Sequence, residues 1–92
     1  MIFPFMTLDD GTEIVHSEML ADQRVKVYIE KPDATDGFHD ATCYLPALEW
    51  TEIHGFSAQD MDRYDEVIRS TAHLIIEFSQ NGGFSGASGL SN

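Results

Sequence analysis

The feature that most constrains this fold is a complete helix signature within residues 55–84. Ser57 and Asp60 have the spacing of a capping box, in which each side chain accepts a hydrogen bond from the other residue's backbone amide. Phe56 and Met61 stand at the two positions of a hydrophobic staple. A stop signal follows, since glycine readily adopts the left-handed conformation of a helix terminus, and it consists of Asn81, Gly82 and Gly83.

The residues between these signals divide into an apolar and a polar side. Mostly apolar side chains recur at three- and four-residue spacing. The pattern is formed by Met61, Tyr64, Ile68, Ala72, Ile75 and the small residue Ser79, and it is widened by Val67, Leu74 and Phe78. The opposite side carries Asp62, Glu66, Arg69, His73, Glu77 and Gln80. The spacing predicts a helix of about 24 residues, long enough to cross a small sheet, with one side buried.

Ahead of the helix, the hydrophobic period shortens to the two residues that are typical of strands. Strands are predicted at residues 3–8, 12–19, 24–31 and 38–45, and the alternation is clearest in the third. Pro4 places the first strand at a sheet edge. Short connections favour antiparallel pairing. The sequence therefore predicts an α+β fold, with an antiparallel meander of about four strands packed against one C-terminal helix, in the order β-β-β-β-α.

Residues 46–54 allow two interpretations. Pro46 before Ala47 and Leu48 is typical of a helical turn, whereas alternation through Trp50 equally fits a bent strand. We favour an irregular connection with a helical turn, pinned to the core by Trp50 and Ile53.

Length and composition indicate one domain. A chain of 92 residues, 42% of them hydrophobic, supports a single core, which we assign to residues 1–83. Residues 84–92 are rich in glycine and serine and are expected to form a flexible tail. The single cysteine, Cys43, excludes an internal disulfide.

Charge narrows the classes of partner. The formal net charge is −11, and residues 1–20 and 33–55 contain acids but no lysine or arginine. Direct nucleic-acid binding and binding to an anionic membrane are disfavoured, because both need many basic contacts to phosphate. No apolar run resembles a signal peptide or a membrane span, so we expect a cytoplasmic protein. A basic protein is the electrostatically natural partner.

Catalytic and metal-binding patterns are weak. His39 and Cys43 share one face of a predicted strand and could begin a metal site, although Cys43 alternates with Ala41 and Leu45 as a buried residue would. The carboxylates at the helix start are explained by capping and by the helix dipole. No nucleophile elbow or phosphate-binding glycine loop occurs. We expect no enzyme, no cofactor and no metal site.

Two functions remain as hypotheses. The first is a non-catalytic protein-binding module, such as an inhibitor, an antitoxin-like protein or a regulatory subunit, acting as a monomer or homodimer. Its expected partner surface comprises the acidic turns and the polar helix side, with Asp9, Asp10, Asp33, Asp36, Asp40, Glu66, Arg69 and His73. The alternative is a ligand-binding or catalytic domain with a pocket between sheet and helix, lined by Tyr28, Tyr44, Trp50 and a histidine.

Overall fold

A computed structural model describes residues 2–35 and 37–80 of the chain. Five strands precede one helix, and they are β1 (Ile2–Thr7), β2 (Glu13–Ser17), β3 (Val25–Asp33), β4 (Gly37–Leu45), β5 (Glu49–His54) and α1 (Ala58–Gln80). Every strand pairs antiparallel with the next, in the spatial order β1-β2-β3-β4-β5. The predicted α+β meander with a C-terminal helix is confirmed, and the sheet has five strands.

The fifth strand corrects the interpretation of residues 46–54. Instead of a helical turn, residues 46–48 form a tight turn in which Leu48 has a φ of 60°, and β5 then pairs with β4. Pairing satisfies the backbone groups along the outer edge of β4, which one helical turn would leave without strand partners. Trp50 packs against the core as expected, whereas Ile53 is 46% exposed and does not pin the chain.

The core lies between α1 and one face of the sheet. The alternation predicted for β3 is confirmed, because Val25, Val27 and Ile29 are fully buried. The matching positions of β4 are also buried, and α1 contributes Tyr64, Ile68, Ile75 and Ser79. Each fully buried aliphatic side chain stabilises the fold by roughly 1.5–3 kcal/mol relative to an exposed one. Leu74, predicted on the flank of the stripe, is 36% exposed.

The predicted start of the helix is confirmed atom by atom. The Asp60 amide donates to Ser57 Oγ and the Ser57 amide donates to Asp60 Oδ2, both at 3.1 Å. Phe56 and Met61, the two staple positions, both pack against the core. The predicted stop at residues 81–83 and the predicted tail at 84–92 lie outside the described residues.

Candidate protein-interaction surface

The sheet has a second face, turned away from α1. Side chains alternate between the two faces of a strand, so the positions between the core residues lie on this side. We call it the open face, and by strand register it comprises Pro4, Glu13, Val15, Lys26, Tyr28, Glu30, Phe38, Asp40, Thr42, Tyr44, Glu49, Glu52 and His54. In the described ranges the single helix lies on the other face.

A row of carboxylates crosses the open face. Glu13 is the register partner of Glu30, and Glu30 is in turn the register partner of Asp40. Directly opposed side chains have Cβ atoms roughly 4.5–5.5 Å apart, and like charges at that separation destabilise a sheet. His54 closes the row, with Nδ1 2.8 Å from Asp40 Oδ1. This hydrogen bond, reinforced by the charge of Asp40, raises the pKa of His54. The row therefore places three acids where pairing alone does not favour them.

Tyr28 lies beside this row at the centre of the open face. Its register partners are Val15 on β2 and Thr42 on β4, and its hydroxyl donates to Glu30 Oε2 at 3.2 Å. Partial burial raises the pKa of Tyr28 to about 12, helped by the bond to Glu30 and by the negative charge of Asp40. The phenol therefore stays neutral and remains a donor at neutral pH.

A stacked cation occupies the other end of the open face. The Arg24 guanidinium carbon lies 4.5 Å from the centre of the Tyr44 ring. Arg24 Nε also donates to Asp22 Oδ2 at 2.6 Å, and this bond raises the pKa of Arg24. An aromatic ring and a carboxylate of this chain thus hold a guanidinium between them.

Phe38 adds an apolar anchor to the open face. It sits near the start of β4 opposite Pro32, and 56% of its surface is exposed. Gly37, immediately before it, has a φ of 88°, a conformation that suits glycine and sets the direction in which the strand leaves the turn. Exposed aromatic residues among polar neighbours are typical of protein interfaces.

The residues predicted as a partner surface fall on separate parts of the molecule. Asp40 lies on the open face. Asp9, Asp10 and Asp33 lie at the end of the sheet where the β1–β2 and β3–β4 turns meet, and Asp36 lies outside the described residues. The helix members Glu66, Arg69 and His73 are exposed on α1, on the other side of the sheet.

Several of these side chains have partners within the chain. Asp10 accepts hydrogen bonds from the Thr12 amide at 3.0 Å and from Arg63 at 2.6 Å, and it lies 3.7 Å from Lys31 Nζ. These contacts hold its pKa well below the usual range. Asp33 accepts from the Thr35 amide at 3.1 Å. Asp10 therefore joins the β1–β2 turn to the start of α1.

Of the open face, sequence reasoning named Asp40 for the partner surface and placed Tyr28 and Tyr44 in a pocket. It missed the other acids of this face and its exposed aromatic residue, namely Glu13, Glu30, Glu49, Glu52 and Phe38. The signal was present in β3, where Lys26, Tyr28 and Glu30 alternate with the buried positions and must therefore share one face. The strand register, which aligns Glu13, Glu30 and Asp40 across three strands, could not be predicted from local alternation.

The candidate metal ligands do not converge within the described residues. Cys43 is fully buried, and burial raises its thiol pKa to about 12. His39 contacts the Phe56 ring at 5.5 Å and lies 3.6 Å from an Asp33 carboxylate oxygen. Among residues 2–35 and 37–80, no three His, Cys, Asp or Glu side chains are grouped to hold a metal ion.

The side chains predicted to line a pocket between sheet and helix lie on opposite faces. Tyr28 and Tyr44 belong to the open face. Trp50 lies on the helix side, where its indole Nε1 donates to Asp65 Oδ1 at 3.0 Å. Trp50 and Asp65 thus fasten β5 to α1, and the two tyrosines point away from them.

Comparison with known proteins gives no relative from which a function could be carried over. No family model, no curated protein and no solved structure matches the chain. Across the described residues, no helix combines the length and the apolar character needed to cross a bilayer.

Proposed function

We propose that this protein is a non-catalytic binding module that docks a basic protein through the open face. The observation that carries the proposal is the row Glu13, Glu30 and Asp40, three acids set opposite one another on the face of the sheet that α1 does not cover. Like charges in register cost stability, and residues that break a local rule of folding are expected at functional sites. A cationic partner would relieve this repulsion.

Charge and composition of the open face support the same proposal. Glu49 and Glu52 extend the negative charge to β5, while the net charge of −11 draws a basic protein from a distance. Complementary charge accelerates association and rejects acidic competitors. Tyr28, Tyr44 and Phe38 supply aromatic area of the kind that dominates binding energy in protein interfaces.

The open face is compatible with several kinds of binding protein. An inhibitor, an antitoxin-like protein or a regulatory subunit would each use such a face, in a cytoplasmic monomer or homodimer without a cofactor. The same carboxylates would repel the phosphate groups of a nucleic acid.

The experiment is an affinity capture from source lysate at low and at high salt, followed by calorimetry with the purified partner. The test variant carries Glu13→Gln, Glu30→Gln and Asp40→Asn, which neutralise the row without changing side-chain size. The control carries Asp9→Asn, Asp62→Asn and Glu66→Gln, which remove equal charge from exposed sites on a turn and on the helix.

The expected result is a stoichiometric, salt-sensitive, basic partner that binds the wild type and the control with similar Kd and binds the test variant at least tenfold more weakly. Recovery of no stoichiometric partner at low salt contradicts the proposal. Equal weakening of both variants would show that binding does not distinguish the row from acids elsewhere on the molecule, and it would remove the open face from the assignment.

A further inference from the structure

We infer that Tyr28, together with Glu30 and Asp40, is the receptor for an arginine side chain of the partner. The inference rests on the proposed function and specifies its chemistry. Tyr28 lies on the middle strand of the five, so it occupies the centre of the open face, with strands on both sides. Residues at the centre of an interface are the ones that become fully desolvated and carry most of the binding energy.

The surroundings of Tyr28 provide the two groups that a guanidinium prefers. The phenol ring is a π surface, and the hydroxyl bond to Glu30 keeps one carboxylate beside the ring. Asp40 stands opposite Glu30 on β4. A guanidinium stacked on the ring can donate in a fork to a neighbouring carboxylate, which combines a cation–π contact with charge-assisted hydrogen bonds.

The same chain already holds a guanidinium in this way. Arg24 stacks on Tyr44 at 4.5 Å and pairs with Asp22 at 2.6 Å. Tyr44 lies on the open face, two residues along β4 from Thr42, the register partner of Tyr28. The other stacked guanidinium of the described residues, Arg63, is bound to Asp10 and Tyr64 on the helix side. Both are committed elsewhere, and the third arginine, Arg69, donates to Asp65 at 3.1 Å. An arginine at Tyr28 therefore comes from the partner.

Arginine fits this receptor better than lysine does. Its planar guanidinium stacks on aromatic rings, presents a fork of donors and is weakly hydrated, whereas the lysine ammonium is a compact and strongly hydrated charge. Glu30 and Asp40 are both half-buried, so the bound cation would lose part of its hydration. This favours the group that is easier to desolvate.

The test is a titration of a peptide into the isotope-labelled full chain at low salt, monitored through the amide NMR spectrum of the protein. The probe is the capped peptide acetyl-Arg-Thr-Arg-Val-Arg-amide, and two matched peptides carry lysine or uncharged citrulline in place of arginine. We expect saturable shifts at Tyr28, Glu30, Asp40, Thr42 and Glu52, with affinity falling from arginine to lysine to citrulline.

Three variants assign the binding to the receptor. Tyr28→Leu removes the ring and should weaken the arginine peptide about 3- to 10-fold, because a cation–π contact contributes on the order of 1 kcal/mol. Tyr28→Phe keeps the ring and should retain most of the affinity. Tyr44→Leu is the matched control, since that ring is already stacked by Arg24. If Tyr28→Leu does not fold, the isosteric pair Glu30→Gln and Asp40→Asn takes its place, with the same expected loss.

The inference is overturned if the peptide shifts helix residues instead of the open face, if the citrulline peptide binds as well as the arginine peptide, or if Tyr28→Leu binds like wild type. Its failure is distinguishable from failure of the proposed function. A lysate partner that still depends on the carboxylate row, without arginine selectivity, overturns the receptor alone. Arginine selectivity without any lysate partner overturns the proposed function.

Discussion

Glu30 and Asp40 are direct register partners on adjacent strands, and both project from the face of the sheet that α1 does not cover. Two like charges in this relationship repel each other. The fold therefore accepts a local cost at the place where a cationic partner would gain most. Stability and binding are expected to change in opposite directions when the repulsion is removed.

Glu30→Gln should raise the free energy of unfolding by about 0.2–1 kcal/mol at low salt, because it removes one charge from two opposed pairs. The amide oxygen can still accept the Tyr28 hydroxyl bond. Chemical denaturation measures the change, and the gain should shrink at high salt, where exposed charges are screened.

The control for this prediction is Asp9→Asn, which removes a charge from an exposed position in the β1–β2 turn. It should change stability by less than about 0.5 kcal/mol. A stability of Glu30→Gln at or below that of the wild type would show that the opposed carboxylates do not strain the sheet.

Asp10 is predicted to stabilise the fold and to contribute little to partner binding. Asp10→Asn weakens the bonds to Thr12 and Arg63, and it should cost about 1 kcal/mol at neutral pH, since Arg63 is half-exposed and its charge is screened. The native pKa lies below the ordinary 3.8, so this contribution is present above 3.8 and is lost as pH falls below it.

Denaturation of wild type and Asp10→Asn at neutral and at acid pH checks the prediction. The difference between them should narrow as pH falls below 3.8. An Asp10→Asn protein with wild-type stability and impaired partner binding would return Asp10 to the interaction surface.

Ser57→Ala should lower the free energy of unfolding by about 1 kcal/mol, because the Asp60 amide would lose its acceptor at the first turn of α1. Ser70→Ala is the matched control. Ser70 is exposed within the helix, and its hydroxyl donates to the Val67 carbonyl. Alanine has the higher helix propensity, so thermal unfolding of Ser70→Ala should be unchanged or slightly raised. Equal destabilisation of both variants would contradict the capping role.

The fold was predictable because its signals are local. Capping at Ser57 and the alternation of Val25, Val27 and Ile29 depend on a few neighbouring residues, and both are confirmed. The strand β5 was missed because Pro46 is compatible with a helical turn and with a tight turn between strands. The backbone groups along the outer edge of β4 need strand partners, and this favours a strand over a helical turn. That need arises only when the sheet is assembled, so the local sequence does not show it.

The candidate surface was less predictable because it depends on register and on distant partners. Charge counting identified Asp10 and Asp40 as equivalent acids. In the structure, Arg63, 53 residues away, binds the first, while the second joins the carboxylate row. Alternation shows which side chains face outward, but it does not show whether another element covers them.

His16 provides the last prediction, a loss of stability in mild acid. The side chain is fully buried against Phe3 and Phe5, with ring centroids 5.6 and 6.3 Å from its own. Its Nδ1 donates to the Ser17 carbonyl at 2.8 Å, since a carbonyl can only accept. The buried Nε2 makes no hydrogen bond within the described residues. Burial lowers the pKa of His16, because a charged ring would be poorly solvated there.

The unfolded chain takes up a proton at His16 near pH 6.5, whereas the folded chain does so only at lower pH. Stability is therefore present above 6.5 and is lost as pH falls below it, by at most about 1.4 kcal/mol per pH unit. His16→Asn keeps a donor for Ser17 but does not titrate, so its denaturation profile should be flatter in this range. Because the raised pKa of His54 acts in the opposite direction and is common to both proteins, the difference between the two profiles isolates His16. Identical slopes for wild type and His16→Asn would show that His16 is protonated as readily inside the fold as outside it.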